Sequence, residues 1–164
     1  MTTTVKGVDV VALGLRDALD LAVLIEEEAR DRYEELADQM EIHHTFEAAR
    51  FFRFMAGNEE RHRSTLAARR RARFGDAPAV VTRAMLFDVE APDYDEVRTF
   101  MSVRAALGIA LRCEEKAHAF FDEALPRLLD AEVRALFEDL RREEVDHQAL
   151  VREQLRLRLN RPEN

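Results

Sequence analysis

The segments NEERH, residues 58–62, and EEVDH, residues 143–147, each place a Glu and a His three positions apart. On a helix, side chains three positions apart share one face, so each segment can present a carboxylate and an imidazole together. At helical spacing, Phe52 precedes the first pair and Phe137 precedes the second. Both pairs therefore lie on faces that are otherwise apolar. An ionised Glu on such a face is costly unless it is paired or binds a metal ion.

Two more Glu residues interrupt apolar stripes on the helical segments that precede these pairs. They are Glu26 and Glu114, so the order Glu…Glu-x-x-His occurs twice along the chain. Four carboxylates and two imidazoles on four helices are the ligands of a carboxylate-bridged di-metal site in a helix bundle. The pattern predicts six metal ligands: Glu26, Glu59, His62, Glu114, Glu144 and His147.

Apolar spacing predicts four long helices. They run from about Leu15 to Met40, from an N-cap at Thr45 to Arg73, from Asp95 to Leu125, and from Ala131 to Leu157. Short turns within each pair and a long non-helical connection over about 74–94 predict an all-α, antiparallel four-helix bundle with a long crossover between the second and third helices. The predicted domain covers residues 15–158, between an N-terminal segment (1–14) and a C-terminal tail (159–164).

Composition excludes several classes of function. The net charge of -8 argues against nucleic acid as the main partner. Cys113 is the only cysteine, so neither an internal disulfide nor a multi-thiolate metal site is possible within the chain. The N-terminus lacks the layout of a signal peptide, and the longest apolar stretch is too short to span a bilayer. We therefore expect a cytoplasmic protein with no membrane association.

Two other Glu-x-x-His pairs exist, so spacing alone does not select the ligands. Glu41 and His44 lie at a predicted turn, and Glu115 points about 100° away from Glu114 on a helix. His118 shares the face of Glu114, four positions later. It is a candidate for an extra or outer ligand, with a histidine at the edge of the core as the alternative.

Further candidates lie next to the six ligands. Asn58 and Glu143 immediately precede the metal-binding Glu of their helices and could reach the His of the opposite helix. Tyr33 follows Glu26 by two turns and could donate a hydrogen bond or an electron, or simply pack in the core. The alternative to a metal site is a bundle with buried Glu–Arg pairs, but the predicted inward stripes contain no Arg.

Carboxylate and imidazole ligands together suit iron, manganese or zinc, whereas calcium and magnesium disfavour histidine. Bridging carboxylates can hold two ions about 3.5–4 Å apart. They can also change their binding mode as the ions change charge. This favours redox chemistry with oxygen or peroxide over hydrolysis.

At these residues the chain resembles the ferritin-like superfamily, and within it the rubrerythrin-like proteins. The similarity rests on Glu26-x-x-Ala29-x-x-x-Tyr33, on Ala110-Leu111-x-x-Glu114-x-x-Ala117, and on the two Glu-x-x-His pairs. It implies a ferritin-like fold and two iron ions, each with one His. It further implies terminal or chelating Glu26 and Glu114, bridging Glu59 and Glu144, and a homodimer or larger homo-oligomer.

The resemblance also implies a function. Members reduce hydrogen peroxide, oxidise Fe(II), or both, in reactions with peroxide or oxygen. Rubrerythrins usually carry a rubredoxin domain with four cysteines, so a chain with only Cys113 is expected to use an external electron donor such as a rubredoxin-like protein. They also carry a Glu where this chain has Ala117, which puts their redox-linked iron movement in question. The alternatives are an iron-handling or storage protein and a non-catalytic bundle that binds zinc or manganese.

Overall fold

A computed structural model describes residues 8–86 and 101–160 of the chain. The helices are α1 (Leu15–Ile42), α2 (Phe46–Phe74), α3 (Val103–Ala124) and α4 (Ala131–Leu159), and short 3-10 turns lie at Val10–Ala12, Arg83–Leu86 and Leu125–Arg127. The described residues contain no strand. The predicted all-α, antiparallel four-helix bundle is thus confirmed. No helix in the described ranges is long and apolar enough to cross a membrane.

Short connections form two helical hairpins. Between α1 and α2, His44 takes a left-handed backbone with φ of 57°, and the Thr45 hydroxyl donates to the Met40 carbonyl oxygen at 2.9 Å. Thr45 holds the predicted N-cap position, but its side chain caps no amide of α2. Between α3 and α4, Asp130 Oδ1 accepts hydrogen bonds from the amides of Glu132 and Val133, at 2.8 and 3.0 Å. This cap starts α4 at Ala131, as predicted.

The start of α3 differs from the prediction. The helix begins at Val103 rather than at Asp95, because the Ser102 hydroxyl caps it by accepting a hydrogen bond from the Ala105 amide at 3.1 Å. Met101 and Ser102 are not helical. The remaining predicted helical residues, 95–100, lie outside the described ranges.

The described part of the connection that follows α2 packs against the bundle. It begins at Gly75, where a φ of 58° ends the helix. It was predicted to be non-helical, but Arg83–Leu86 forms a 3-10 turn, and Leu86 is fully buried in the core. Arg83 binds Asp31 of α1 at 2.8 Å. Residues 87–94 of the predicted crossover, 1–7 of the N-terminal segment and 161–164 of the tail lie outside the described ranges.

The apolar core consists of two clusters, and a polar layer divides them. All four helices contribute to both clusters, and the order on α1 and α4 is reversed on α2 and α3. On α1, residues up to Ile25 belong to one cluster and residues from Tyr33 onward to the other. On α4 the corresponding limits are Leu140 and Val151. The residues between these limits include Glu26 on α1, and Glu144 and His147 on α4. The two clusters therefore pack the helices on both sides of the predicted ligands and bring the ligands to one level.

Candidate metal centre

All six predicted ligands come together between the two apolar clusters. The four carboxylates and His147 are buried, with at most 5% of each residue exposed, while the His62 side chain keeps 27% exposure. Three sets of side chains each have ligand atoms within 4.8 Å of one another: Glu26, His62 and Glu143; Glu59, His62 and His147; and Glu114, Glu144 and His147. The histidines link the sets, so the site has two ends joined through Glu59.

The spacing of the ligand atoms fits metal coordination. Nδ1 of His62 lies 3.6 Å from Glu26 Oε2 and 3.8 Å from Glu59 Oε2. Nδ1 of His147 lies 3.1 Å from Glu59 Oε1 and 3.5 Å from Glu114 Oε2. Two atoms that each lie about 2.1 Å from one ion are about 3.0–3.6 Å apart at ordinary ligand angles. Three of the four distances fall in this range, and the contact between His62 and Glu59 is slightly longer at 3.8 Å. Glu59 faces one histidine with each of its two oxygens.

Several buried polar atoms in the layer make no hydrogen bond of acceptable geometry within the described part of the chain. They are Glu59 Oε1, His62 Nδ1, Glu143 Oε2 and His147 Nδ1. A buried polar atom without a partner costs about 1–3 kcal/mol, so a cluster of them is unusual in a stable core. Each of the four atoms belongs to at least one of the three sets of neighbouring ligand atoms, so bound cations would supply their missing partners. The residues present therefore fit a pair of metal ions.

The charges in the layer affect one another strongly. Burial raises the pKa of Glu59 well above its usual value, and the nearby Glu26 and Glu114 add to this rise despite the opposing effect of His147. Burial would also raise the pKa of Glu114, but His147 and Glu144 outweigh it and lower that pKa. Burial opposes the protonation of His147, yet Glu114 and Glu59 raise its pKa. Without cations, the layer thus favours the ionised form of Glu114 and disfavours that of Glu59.

Tyr33 lies against this layer. Its ring is fully buried beside Phe52, with the ring centroids 6.1 Å apart. Its hydroxyl donates a hydrogen bond to Oε1 of Glu114. Burial, together with the charge of Glu114, raises the pKa of Tyr33 well above its usual value, so the hydroxyl stays protonated. Tyr33 therefore fixes one oxygen of Glu114 and leaves Oε2 turned toward His147.

Of the remaining candidates, Glu143 lies closest to the six ligands. Its Oε2 is 3.5 Å from Nδ1 of His62 on the opposite helix. Asn58 is buried, but its Oδ1 accepts a hydrogen bond from Arg61 of its own helix. His118 is half-buried and belongs to none of the three ligand sets found among the described residues.

Two nearby residues were not identified from the sequence. Arg32 is buried on α1, with its guanidinium 5.7 Å from the centre of the Tyr33 ring, and its charge helps to lower the pKa of Glu114. The predicted inward stripes contain no Arg, but Arg32, which lies outside them, is also buried and its charge acts on Glu114. Gln148 Nε2 donates to the backbone oxygen of Glu114 at 3.3 Å. Helical spacing was a usable signal for Arg32, because it follows buried Ile25 by seven positions.

Comparison with known proteins gives the family. The sequence model of the Rubrerythrin family matches residues 17–155. A crystal structure of an uncharacterized conserved protein from Magnetospirillum magnetotacticum MS-1 is also similar, with 28% sequence identity and a TM-score of 0.75. That match covers 93% of this chain and 99% of the other. No curated protein matches the chain.

The family match includes all four helices that carry the predicted ligands and most of the length of each. The similarity to the crystal structure likewise covers 93% of the chain, so both comparisons concern most of its length. The chain has the ferritin-like helical fold and belongs to the Rubrerythrin family.

Proposed function

We propose that this chain is a di-iron carboxylate protein with oxidoreductase activity of the rubrerythrin type. It oxidises Fe(II), or passes on electrons from an external donor, while it reduces hydrogen peroxide or oxygen. The observation that carries the proposal is the position of Glu59 between two histidines, with Oε2 at 3.8 Å from His62 Nδ1 and Oε1 at 3.1 Å from His147 Nδ1. A carboxylate in this position can hold two ions about 3.5–4 Å apart.

The chemistry of the ligands supports iron in this protein. Carboxylate and imidazole ligands suit iron, manganese and zinc, and membership of the Rubrerythrin family favours iron among them. Four buried carboxylates balance the charge of two divalent ions. When bound, two iron ions supply two electrons, the number needed to reduce one molecule of hydrogen peroxide to water.

The protein's own side chains have distinct roles in this proposal. Tyr33 is the catalytic side chain outside the ligand set, because its protonated hydroxyl is placed to move a proton or an electron at Oε1 of Glu114. The apolar clusters on both sides exclude water from most of the site. Access for a small oxidant is available beside His62 and Glu143, whose side chains are 27% and 37% exposed.

The partners follow from the proposed reaction. We propose an external electron donor, such as a rubredoxin-like protein, by analogy with the Rubrerythrin family. A homodimer or larger homo-oligomer and a cytoplasmic location complete the proposal by analogy with the family.

The partly exposed end of the site favours one alternative function, iron handling. Since His62 and Glu143 connect the buried ligands with solvent, the site could admit Fe(II) and pass it on after oxidation. A higher oligomer that retains iron as a mineral would identify this function. A site that binds only zinc or manganese and performs no redox chemistry would identify a structural role.

The test is rapid mixing of anaerobic, Fe(II)-loaded protein with hydrogen peroxide or with oxygen while absorbance is recorded. We expect oxidation of both ions, faster with one oxidant than with the other, and the faster one identifies the physiological reaction class. Glu144→Gln should abolish the reaction, whereas Glu138→Gln, an exposed change on the same helix, should not. Iron that is bound but oxidised no faster than free Fe(II) would overturn the proposed function.

A further inference from the structure

We propose that Glu143 is a seventh metal-binding side chain and that it ligates the ion held by Glu26 and His62. The inference rests on the proposed function, because it needs a metal pair in the polar layer. It assigns the solvent-facing end of the site a carboxylate that the repeated Glu…Glu-x-x-His pattern does not contain.

Distances distinguish coordination from hydrogen bonding at this end. Glu143 Oε2 and Glu26 Oε2 lie 3.5 and 3.6 Å from Nδ1 of His62. Hydrogen bonds between nitrogen and oxygen are about 2.7–3.2 Å long, so neither contact is a good one. Both distances match the separation of about 3.0–3.6 Å expected for two atoms bound to one ion. All three ligand atoms lie within 4.8 Å of one another.

The orientation of Glu143 supports the same assignment. Its side chain is 37% exposed, yet its Oε2 is buried and makes no hydrogen bond among the described residues. A surface glutamate normally turns its carboxylate toward water or an arginine. The two arginines that precede it are directed elsewhere, since Arg141 binds Asp122 and Arg142 binds Asp139, at 2.7 and 2.8 Å. Glu143 instead turns one oxygen toward the ligand cluster.

The position of the carboxylate suits a cation at this end of the site. A divalent ion bound to Nδ1 of His62 would also be within reach of the buried Oε2 of Glu143. The two ends of the site then differ, because Glu114, Glu144 and His147 hold one ion in the buried interior, and Glu26, His62 and Glu143 hold the other next to solvent.

Glu143 also changes the total charge of the ligands. With Glu143 the site has five carboxylates, one more than two divalent ions neutralise. Divalent affinity at a carboxylate site increases with ligand charge. Loss of this carboxylate should therefore lower the binding affinity for the ion at the solvent-facing end. The affinity for the buried ion should be largely unaffected.

The experiment is a titration of the metal-free protein with Mn(II). Binding is monitored by calorimetry and by the EPR signal of the Mn(II) that remains free. Wild-type protein should bind two Mn(II) per chain. In Glu143→Gln we expect one ion to keep its affinity and the other to bind at least about 10-fold more weakly. Glu138→Gln, the same change at an exposed position of α4, should match wild type. In crystals soaked with Mn(II), a Glu143 oxygen should lie about 2.2 Å from the outer ion.

The outcomes separate this inference from the proposed function. Two Mn(II) per chain in both wild type and Glu143→Gln, with unchanged affinities, would overturn the role of Glu143 and leave the di-metal site standing. An equal loss of affinity for both ions in Glu143→Gln would also contradict the role of Glu143, since removal of a ligand to one ion should lower the affinity for that ion more than for the other. Wild-type protein that binds no Mn(II) and no Fe(II) would overturn the proposed function itself. Circular dichroism checks that each variant is folded.

Discussion

The imidazole rings of His62 and His147 lie nearly parallel, with 9° between their planes and 5.4 Å between their centroids. One ring comes from α2 and the other from α4, at equivalent positions of the two Glu-x-x-His pairs. Their Nδ1 atoms face opposite oxygens of Glu59. The repeated Glu-x-x-His pattern therefore places two equivalent imidazoles side by side, with the carboxylate of Glu59 between them.

The hydrogen bond between Tyr33 and Glu114 should stabilise the metal-free protein. Tyr33→Phe removes the donor and leaves a buried carboxylate oxygen without it, which costs about 1–3 kcal/mol. Urea denaturation of metal-free wild type and variant measures the difference. With metal bound the difference should become smaller, because the ions then stabilise the charge of Glu114. Equal stability of the two metal-free proteins would show that the hydroxyl contributes no net stabilisation.

The buried carboxylate of Glu59 should destabilise the metal-free protein. The free energy of unfolding of metal-free Glu59→Gln, measured against wild type at several pH values, tests this. Burial raises the pKa of Glu59 above its unfolded value of 4.5. The folded state thus binds the Glu59 proton more tightly than the unfolded state does. The contribution of the protonated carboxyl to stability is fully present below pH 4.5, and it is lost as the pH rises through the raised pKa. The advantage of Glu59→Gln over wild type should therefore grow with pH, by at most about 1.4 kcal/mol per pH unit.

The adjacent residue provides the control for that experiment. Hydrogen bonds from Arg63 and Arg30 lower the pKa of Glu60 to about 2. Its stabilisation is present above the unfolded value of 4.5 and is lost as pH falls through about 2. Glu60→Gln should therefore lower stability at neutral pH, by less than about 1 kcal/mol because the pair is well exposed. If both variants shifted stability in the same direction with pH, the raised pKa of Glu59 would be contradicted.

The start of α3 can be tested through its cap. Ser102→Ala removes the acceptor for the Ala105 amide and should destabilise the protein by about 1 kcal/mol. Ser102→Asp should restore most of that loss. Ser64→Ala, an exposed change inside α2, serves as the reference for the loss of a hydroxyl and should have little effect. If Ser102→Ala and Ser64→Ala behaved alike in thermal unfolding, the helix would have to begin elsewhere.

Residues that recur at helical spacing on one face of a helix were predictable from the sequence. Glu26, Glu59, Glu114 and Glu144 each replace an apolar residue on an inward stripe, and the structure brings all of them into one layer. Asp130 was likewise readable as a helix start, because a carboxylate cap is a local signal. Local patterns of this kind need no knowledge of how the helices pack against one another.

Features that depend on packing between helices were harder to predict. Arg32 follows buried Ile25 at helical spacing, but this spacing does not show that the charge of Arg32 lies beside the ring of Tyr33. The direction of Glu143 depends on the distance between α2 and α4, which no pattern within one helix encodes. The turn at Arg83–Leu86 is too short for helical period to reveal it, and it is held by the burial of Leu86 and by the contact of Arg83 with Asp31.

The proposed pair of metal ions in the polar layer depends on Glu59. An anaerobic Fe(II) titration of metal-free wild type and Glu59→Ala tests this dependence, with Glu60→Ala as the neighbouring control. We expect two Fe(II) per chain for wild type and the control, and loss of that binding in Glu59→Ala, because both histidines face this one carboxylate. No stoichiometric binding by wild type, or binding unaffected by Glu59→Ala, would contradict it.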